Sequence, residues 1–277
     1  MVVSVLGGVF SRSLALLSDA GHMLADAAAL GLALVAQKVA SRPRTQVRTY
    51  GWRRAETLAA FVNAILLGVA SLWVVIEAVE RWREPPDVRG GWMLGVAVFG
   101  LVVNLVAAAI LSHGHSHNEN TRAALAHVVS DAAGSLAAIV AAALVLGWGW
   151  RRADPLISVV LAVMIFRGAW KLVVRTLDVL MESTPRGLVP AALEATIRAT
   201  PGVAGLHDLH AWTISEGFDV VTVHVTLDGT RHGTDVSREV SERIRAEHGI
   251  EHATVQAESP SSTEFYQPLS TLARRRA

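Results

Sequence analysis

The sequence predicts an α-helical membrane domain at residues 1–184 and a small α+β domain at residues 185–259, followed by a flexible tail at residues 260–277. The first observation is composition: 52% of the 277 residues are hydrophobic, 18% are charged, and the mean hydropathy is +0.39. Soluble domains are less apolar and carry more charge. The second observation is distribution, because long apolar segments end at about residue 180 and short mixed runs begin at Pro185.

Five apolar segments are long enough to cross the hydrocarbon layer of a bilayer, which takes about 20 helical residues. They lie at residues 13–40, 55–82, 92–111, 121–146 and 154–180. Residues 1–10 are apolar but shorter, and they lack the features of a signal peptide. We interpret them as the second half of a first spanning helix, which gives a six-helix bundle with an incomplete first helix. Asp154 is the expected N-cap of the last helix, with Pro155 at its first position.

The connection after the second helix carries five arginines and no acid, at positions 42, 44, 48, 53 and 54. Short loops rich in Arg and Lys stay in the cytoplasm. The pattern therefore predicts an integral, multi-pass membrane protein with this loop in the cytoplasm.

The C-terminal part predicts a helix at 188–200, strands at 206–214 and 219–227, a helix at 234–247 and a strand at 252–258. The second of these segments is rich in valine, and β-branched residues favour strand. The order α-β-β-α-β is typical of a small open sheet with its helices on one face.

Composition also limits the chemistry. The chain has no cysteine, which excludes disulfides and thiolate metal sites, so that His, Asp and Glu must supply any metal ligands. The formal net charge of +1 gives no indication of a nucleic-acid partner.

Ionisable residues occur inside two of the apolar segments, where they are costly and usually functional. His22 and Asp26 are four residues apart, and His127 and Asp131 repeat the same spacing in another segment. Residues four apart share one face of a helix. Two imidazoles and two carboxylates suit a dication with tetrahedral coordination. Zinc is the first candidate ion, and cadmium and cobalt are the alternatives.

One further acid precedes this set. Asp19 lies on the same helix face as His22, three residues earlier. It could be a fifth ligand, a proton carrier or a group that orients the ligands, and we favour the orienting or structural role.

The remaining histidines form two groups. His113, His115 and His117 alternate in a polar loop, which predicts either weak metal capture or a solvated linker. In the C-terminal domain, His207, Asp208 and His210 lie on the first strand, His224 on the second, and His252 with Glu258 on the third. Because alternate strand residues share a face, His252, Glu258 and His224 are candidates for a second metal site.

Four segments together resemble the cation diffusion facilitator family, in particular its zinc-transporting branch. They are SLALLSDAGHMLADAAALGLAL, YGWRRAETLAAFVNA, ALAHVVSDAAGSLAA and HDLHAWTI. The resemblance implies six membrane helices, a cytoplasmic ferredoxin-like domain, a homodimer in a bacterial cell membrane, and export of zinc in exchange for protons. It implies that the transport site consists of His22, Asp26, His127 and Asp131. It also implies that His207, His224, His252 and Glu258 are metal ligands in the cytoplasmic domain.

A transport cycle follows as a hypothesis. Protons compete with a metal ion for neutral histidines and ionised aspartates, so that an acidic exit side favours release of the ion. The partners expected are divalent metal ions, protons, membrane lipid and a second copy of the chain, with no organic cofactor. A pairing of Arg54 with Glu182 is expected to connect the membrane helices with the C-terminal domain. The competing hypotheses are a non-transporting zinc sensor or scaffold and a membrane metalloenzyme, although no His-Glu-x-x-His motif is present.

Overall fold

The computed structural model describes residues 2–113 and 119–259. The helices of the first part are α1 Val2–Ser11, α2 Leu14–Ala40, α3 Ala55–Arg83, α4 Gly90–His113, α5 Glu119–Trp148 and α6 Ala153–Leu180. The second part consists of α7 Pro190–Arg198, β1 Val203–Ser215, β2 Phe218–Leu227, α8 Gly233–His248 and β3 His252–Glu258. The predicted order of elements is confirmed. The predicted flexible tail at 260–277 lies outside the described residues.

Five helices, α2 to α6, have the length and hydropathy needed to cross a membrane. The shorter α1 packs along α4, where Gly7 lies against the side chain of Val96 with no room for a Cβ atom. Buried alanines, among them Ala138, Ala141 and Ala142, let α4 and α5 approach closely. Small residues at such contacts are typical of membrane helices, because lipid supplies no hydrophobic driving force between them.

Asp154 does not cap its own helix, and the prediction that it does is wrong. Its carboxylate is fully buried and accepts hydrogen bonds from the Ser13 hydroxyl and from the backbone N–H groups of Leu14, at 2.8 Å, and Ala15, at 3.2 Å. Leu14 and Ala15 lie in the first turn of α2, whose N–H donors have no partner within the helix, and Ser13 directly precedes that turn. The cap therefore fixes the start of the helix that carries His22 and Asp26.

The second part is an α+β domain, as predicted. The strands form one sheet in the order β1-β2-β3, with β1 and β2 antiparallel and β2 and β3 parallel. Val221, Val223 and Val225 on one face of β2 are buried with residues of α7 and α8. The alternate residues Thr222, His224 and Thr226 consequently lie on the other face of the sheet.

The chain divides into two compact units by contact. One contains the residues up to 36 and residues 59–174, and the other contains residues 37–58 and the residues from 175 onward. The arginine-rich loop between α2 and α3 therefore belongs with the C-terminal domain.

Candidate metal centres

The first candidate centre is the membrane cluster, which consists of His22 and Asp26 on α2 and His127 and Asp131 on α5. Asp26 Oδ2 lies 3.6 Å from His22 Nε2 and 3.5 Å from His127 Nε2. Asp131 Oδ2 lies 3.7 Å from His127 Nε2. Ligand atoms of His22, Asp26 and Asp131 thus lie within 4.8 Å of one another, and His127 adjoins this group through its contacts with Asp26 and Asp131.

These separations fit a shared ion better than direct hydrogen bonds. Hydrogen bonds between nitrogen and oxygen are about 2.7–3.2 Å long, so the distances in the membrane cluster are too great. Four ligands about 2.0–2.1 Å from a tetrahedral zinc ion are about 3.3 Å from one another. The observed distances of 3.5–3.7 Å exceed that edge by a few tenths of an ångström.

Buried polar atoms without hydrogen bonds mark the same place. Among the described residues, His22 Nδ1, Asp26 Oδ2 and Asp131 Oδ1 are buried and accept or donate no hydrogen bond. Such atoms are rare because each costs desolvation free energy. An ion bound beside the histidine Nε2 atoms would offset that cost at Asp26 Oδ2, which lies near both of them. The His127 side chain is 50% exposed, whereas that of Asp131 is 13% exposed, so the cluster is open on the side of His127.

Asp19 extends the membrane cluster by one turn toward the start of α2. A cavity of about 350 Å³ is lined by Asp19, His22 and Asp131 together with α6 residues that include Met164 and Gly168. A Cβ atom at Gly134 of α5 would lie 3.1 Å from Asp19 Oδ1. The Asp19 carboxylate therefore lies against α5 at Gly134, where a larger residue would require it to shift by a few tenths of an ångström, and the sequence pattern did not predict this contact.

The second candidate centre is the sheet cluster, formed by His207, His224 and Glu258. His207 and His224 are directly opposite each other in the β1–β2 pair, and their ring centroids are 5.1 Å apart. Glu258 Oε2 is 3.0 Å from His207 Nε2, and Glu258 Oε1 is 2.8 Å from His224 Nδ1. A carboxylate only accepts hydrogen bonds, so these two ring nitrogens carry the hydrogen atoms.

The carboxylate of the sheet cluster is held in its ionised form. Burial raises the pKa of Glu258, but the hydrogen bonds that it accepts from His207, His224 and Gln256 outweigh burial, and the net pKa lies below its ordinary value. Two imidazoles and an ionised carboxylate are a donor set that suits zinc and similar dications. The residues present therefore fit a metal ion, with one coordination position left for another ligand.

Asp208 lies beside the sheet cluster, and sequence reasoning did not include it among the ligands. The β1–β2 register shifts between His207 and His210, and Asp208 adopts a positive φ of 51° at that bulge. Its carboxylate accepts a hydrogen bond from His210 Nε2 at 2.9 Å and lies 3.9 Å from His224 Nε2. The adjacent position of Asp208 and His207 was visible in the sequence, but the bulge that turns both toward one site was not.

His252 is not part of the sheet cluster, which corrects the prediction that placed it there. It pairs with Val220 at the start of β3, whereas Glu258 pairs with Thr226 at the other end. Six residues of strand span about 20 Å. The His252 ring instead lies 5.7 Å from the Phe218 ring and 6.1 Å from the Tyr50 ring, measured between centroids. A shared strand face sets the direction of a side chain but not its position along the strand.

Of the three loop histidines, His113 is the one that lies within the described residues. His113 lies in the last turn of α4, with its Nδ1 atom 2.7 Å from the backbone oxygen of Ala109. His115 and His117 lie outside the described residues. Metal capture by this loop stays a prediction. The expected pairing of Arg54 with Glu182 is confirmed, since Arg54 Nη2 donates a hydrogen bond to Glu182 Oε1 at 2.8 Å.

Several curated proteins are similar to this chain over nearly its whole length. The zinc transporter ZitB of Escherichia coli strain K12 is 42% identical over 270 residues, which cover 97% of this chain and 84% of the relative. The cadmium, cobalt and zinc/H⁺-K⁺ antiporter of Bacillus subtilis strain 168 is 38% identical, covering 94% and 85%. The metal cation efflux system protein CzcD of Cupriavidus metallidurans is 38% identical, covering 93% and 82%.

A solved structure is also similar in sequence, the metal-bound C-terminal domain of the CzcD transporter from the same organism. It is 35% identical and matches 26% of this chain and 99% of the solved chain, with a TM-score of 0.24.

Family models account for both parts of the chain. Residues 1–181 match the cation efflux transmembrane domain, and residues 185–260 match the cytoplasmic domain of cation efflux proteins. With the spanning helices, these matches identify a multi-pass membrane protein whose C-terminal domain is cytoplasmic. The chain belongs to the cation efflux, or cation diffusion facilitator, family and is a transporter of metal cations.

Proposed function

We propose that this protein exports Zn²⁺ from the cytoplasm through the membrane cluster in exchange for protons, with Cd²⁺ and Co²⁺ as further substrates. The observation that supports this best is the spacing of the Asp26 carboxylate, 3.6 Å and 3.5 Å from two histidine nitrogens without a hydrogen bond to either. Two nitrogen and two oxygen donors favour zinc over ions that prefer a fully oxygen set. The names of the relatives, which include zinc, cadmium and cobalt, support the same range.

The proposed cycle depends on competition at the four side chains. A dication binds when both histidines are neutral and both aspartates are ionised. Protons arriving from the opposite side then displace the ion, because histidine changes its charge near neutral pH. The helices would move around the membrane cluster so that it opens to one side at a time. The proton in the printed name of the Bacillus subtilis relative supports this exchange.

The sheet cluster has a separate proposed role. His207, His224 and Glu258 would hold a resident divalent ion that links the three strands of the cytoplasmic domain. That link would make the domain responsive to the cytosolic metal concentration. We further propose that the protein acts as a homodimer through this domain, as the resemblance to the family implies.

Zinc uptake by everted membrane vesicles with an acidic interior tests the transport proposal. Wild-type protein should accumulate zinc, and an ionophore that removes the proton gradient should reduce the uptake. His22→Ala and Asp131→Ala should each reduce uptake to background. Asn104→Ala, which removes a polar side chain from the spanning helix α4, serves as the matched control and should retain it.

Each way in which the transport proposal can fail gives a different result. Uptake that survives His22→Ala would contradict the assignment of the site. Uptake that does not depend on the proton gradient but requires potassium would contradict the proposed exchange with protons. It would not contradict the assignment of the site. Zinc binding by purified wild-type protein without any flux would instead favour the non-transporting sensor.

A further inference from the structure

A cavity of about 570 Å³ lies within the second unit, where the loop between α2 and α3 meets the end of β1. Its polar wall includes Arg48, Arg53 and Arg54 from the loop, together with Glu182, which is paired with Arg54. Its volume falls in the range of about 300–1,000 Å³ that is usual for small-molecule sites. Neither the family match nor the membrane and sheet clusters assign a function to this cavity.

The guanidinium groups in this wall are positioned by aromatic rings. The Arg48 Cζ atom lies 3.7 Å from the centroid of the Trp52 ring, and the Arg53 Cζ atom lies 4.5 Å from that of Phe218. Stacking uses the face of a guanidinium and leaves the N–H donors at its edge for an acceptor. Among the described residues, neither Arg48 nor Arg53 has a carboxylate within 4.0 Å, whereas Arg54 is paired with Glu182.

The apolar part of the wall comes from the ends of spanning helices and from β1. Val39 of α2, Leu58 of α3 and Leu180 of α6 line it together with Trp212 and Ile214 of β1. These helix ends are on the cytoplasmic side, because the cytoplasmic domain follows α6. Because the ends of spanning helices mark the edge of the hydrocarbon layer, the cavity is expected where the headgroups of the cytoplasmic leaflet begin.

We propose that this cavity binds an anionic phospholipid of the cytoplasmic leaflet. Arg48 and Arg53 would donate hydrogen bonds to its phosphate oxygens, since the planar fork of a guanidinium matches phosphate. The apolar wall would contact the glycerol backbone and the start of the acyl chains, a match that free phosphate does not offer. A lipid in this position joins the loop to the sheet, because Arg53 is stacked on Phe218 of β2. The proposal is independent of which ion is transported.

The test uses the full-length protein, purified in detergent and freed of lipid. Phosphatidylglycerol, phosphatidylcholine or inorganic phosphate is added, and lipid binding is measured by native mass spectrometry with the unfolding temperature as a second readout. Phosphatidylglycerol should bind and raise the unfolding temperature, because a ligand that binds only the folded state stabilises it. Inorganic phosphate and phosphatidylcholine should do so much less.

Substitutions separate a specific site from general attraction to negative charge. Arg48→Gln and Arg53→Gln should each weaken phosphatidylglycerol binding by about tenfold, the usual scale for a lost charge-assisted hydrogen bond. Arg42→Gln removes the same charge from the same loop but lies outside the cavity wall, so it should change binding by less than about twofold. Arg48→Lys keeps the charge and loses the fork, so it should also weaken binding.

Three outcomes would overturn the proposal. Equal losses in Arg42→Gln and Arg48→Gln would indicate diffuse electrostatic attraction. Equal stabilisation by inorganic phosphate would indicate a phosphate site without a lipid. Unchanged binding in both Arg48→Gln and Arg53→Gln would show that the lipid binds elsewhere. Unfolding temperatures measured without lipid show whether each variant is folded. If Arg48→Gln is not folded, Arg48→Lys replaces it in the test.

Discussion

The membrane cluster and the sheet cluster use the same kinds of donor atoms at different distances. In the membrane cluster, the nitrogen–oxygen separations are 3.5–3.7 Å. In the sheet cluster, they are 2.8–3.0 Å, and the histidines donate hydrogen bonds to Glu258. Glu258 therefore accepts hydrogen bonds from both histidines of the sheet cluster, whereas the distances in the membrane cluster are too long for hydrogen bonds.

This difference has an energetic consequence for each cluster. An ion that enters the membrane cluster has no internal hydrogen bond to break, which favours fast binding and release of a transported ion. An ion that enters the sheet cluster must replace two charge-assisted hydrogen bonds, which are stronger than neutral ones. The sheet cluster therefore suits a resident or regulatory ion, and the domain can keep its form without one.

The largest expected effect is at Asp26, because its carboxylate lies between both histidines of the membrane cluster. Asp26→Asn should lower vesicle zinc uptake by at least about 100-fold, since loss of an outer-shell partner alone costs 10–100-fold at metal sites. Asp87→Asn, at an exposed aspartate between α3 and α4, is the matched control. Uptake within threefold of wild type in Asp26→Asn would contradict the role of the membrane cluster.

The next effect concerns the sheet cluster alone. Glu258→Gln removes the charge between His207 and His224, so metal affinity at that cluster should fall by about tenfold or more. Zinc titration by calorimetry in an Asp26→Asn background isolates the sheet cluster from the membrane cluster. Vesicle uptake by Glu258→Gln alone should stay within about threefold of wild type, because the proposed transport route runs through the membrane cluster and not through the sheet.

Two controls accompany this titration. His252→Ala should leave zinc affinity unchanged, because His252 lies at the opposite end of β3. Glu251→Gln changes an exposed neighbouring acid and should also have no effect. If His252→Ala weakens zinc as much as Glu258→Gln does, the composition of the sheet cluster is wrong.

A smaller effect tests whether Asp19 belongs with the membrane cluster. Gly134→Ala places a Cβ atom 3.1 Å from the present position of Asp19 Oδ1, so the carboxylate must move. Zinc uptake in vesicles should fall by about fivefold, below the scale of a lost ligand. Gly31→Ala, in α2 with open space around the new atom, is the control for the substitution itself.

A double-mutant cycle identifies the cause of that loss. If Gly134→Ala acts by moving Asp19, it should have little further effect in an Asp19→Ala background, because groups in contact are not additive. Fully additive losses would mean that Gly134→Ala disturbs helix packing and that Asp19 is not involved.

The smallest effect is expected at the Arg54–Glu182 pair, which belongs to neither cluster. Their side chains are 37% and 58% exposed, and exposed pairs contribute about 0.2–1 kcal/mol. Arg54→Glu or Glu182→Arg should lower vesicle uptake by less than about threefold, and the double reversal should restore it. Failure of the double reversal to restore uptake would show that the pairing itself does not matter.

The sequence alone predicted features that depend on residues close together in the chain. Hydropathy located α2 to α6 within a few residues of their ends, and β-branched runs located β2. The spacing of His22 with Asp26 and of His127 with Asp131 placed each pair on one helix face, because a helix repeats every 3.6 residues. The meeting of the two pairs was an inference from their identical spacing and from the family resemblance.

Tertiary structure decided the features that join distant residues. Asp154 caps a helix about 140 residues earlier, where local rules assigned it to its own helix. The parallel pairing of β3 with β2 brings Glu258 to His224 and leaves His252 at the other end. Asp19 of α2 lies against α5 at Gly134, a contact between residues more than 100 positions apart in the chain. The physical reason is the same in each case: periodicity sets the direction of a side chain on its own element, and only packing between elements sets which groups it meets.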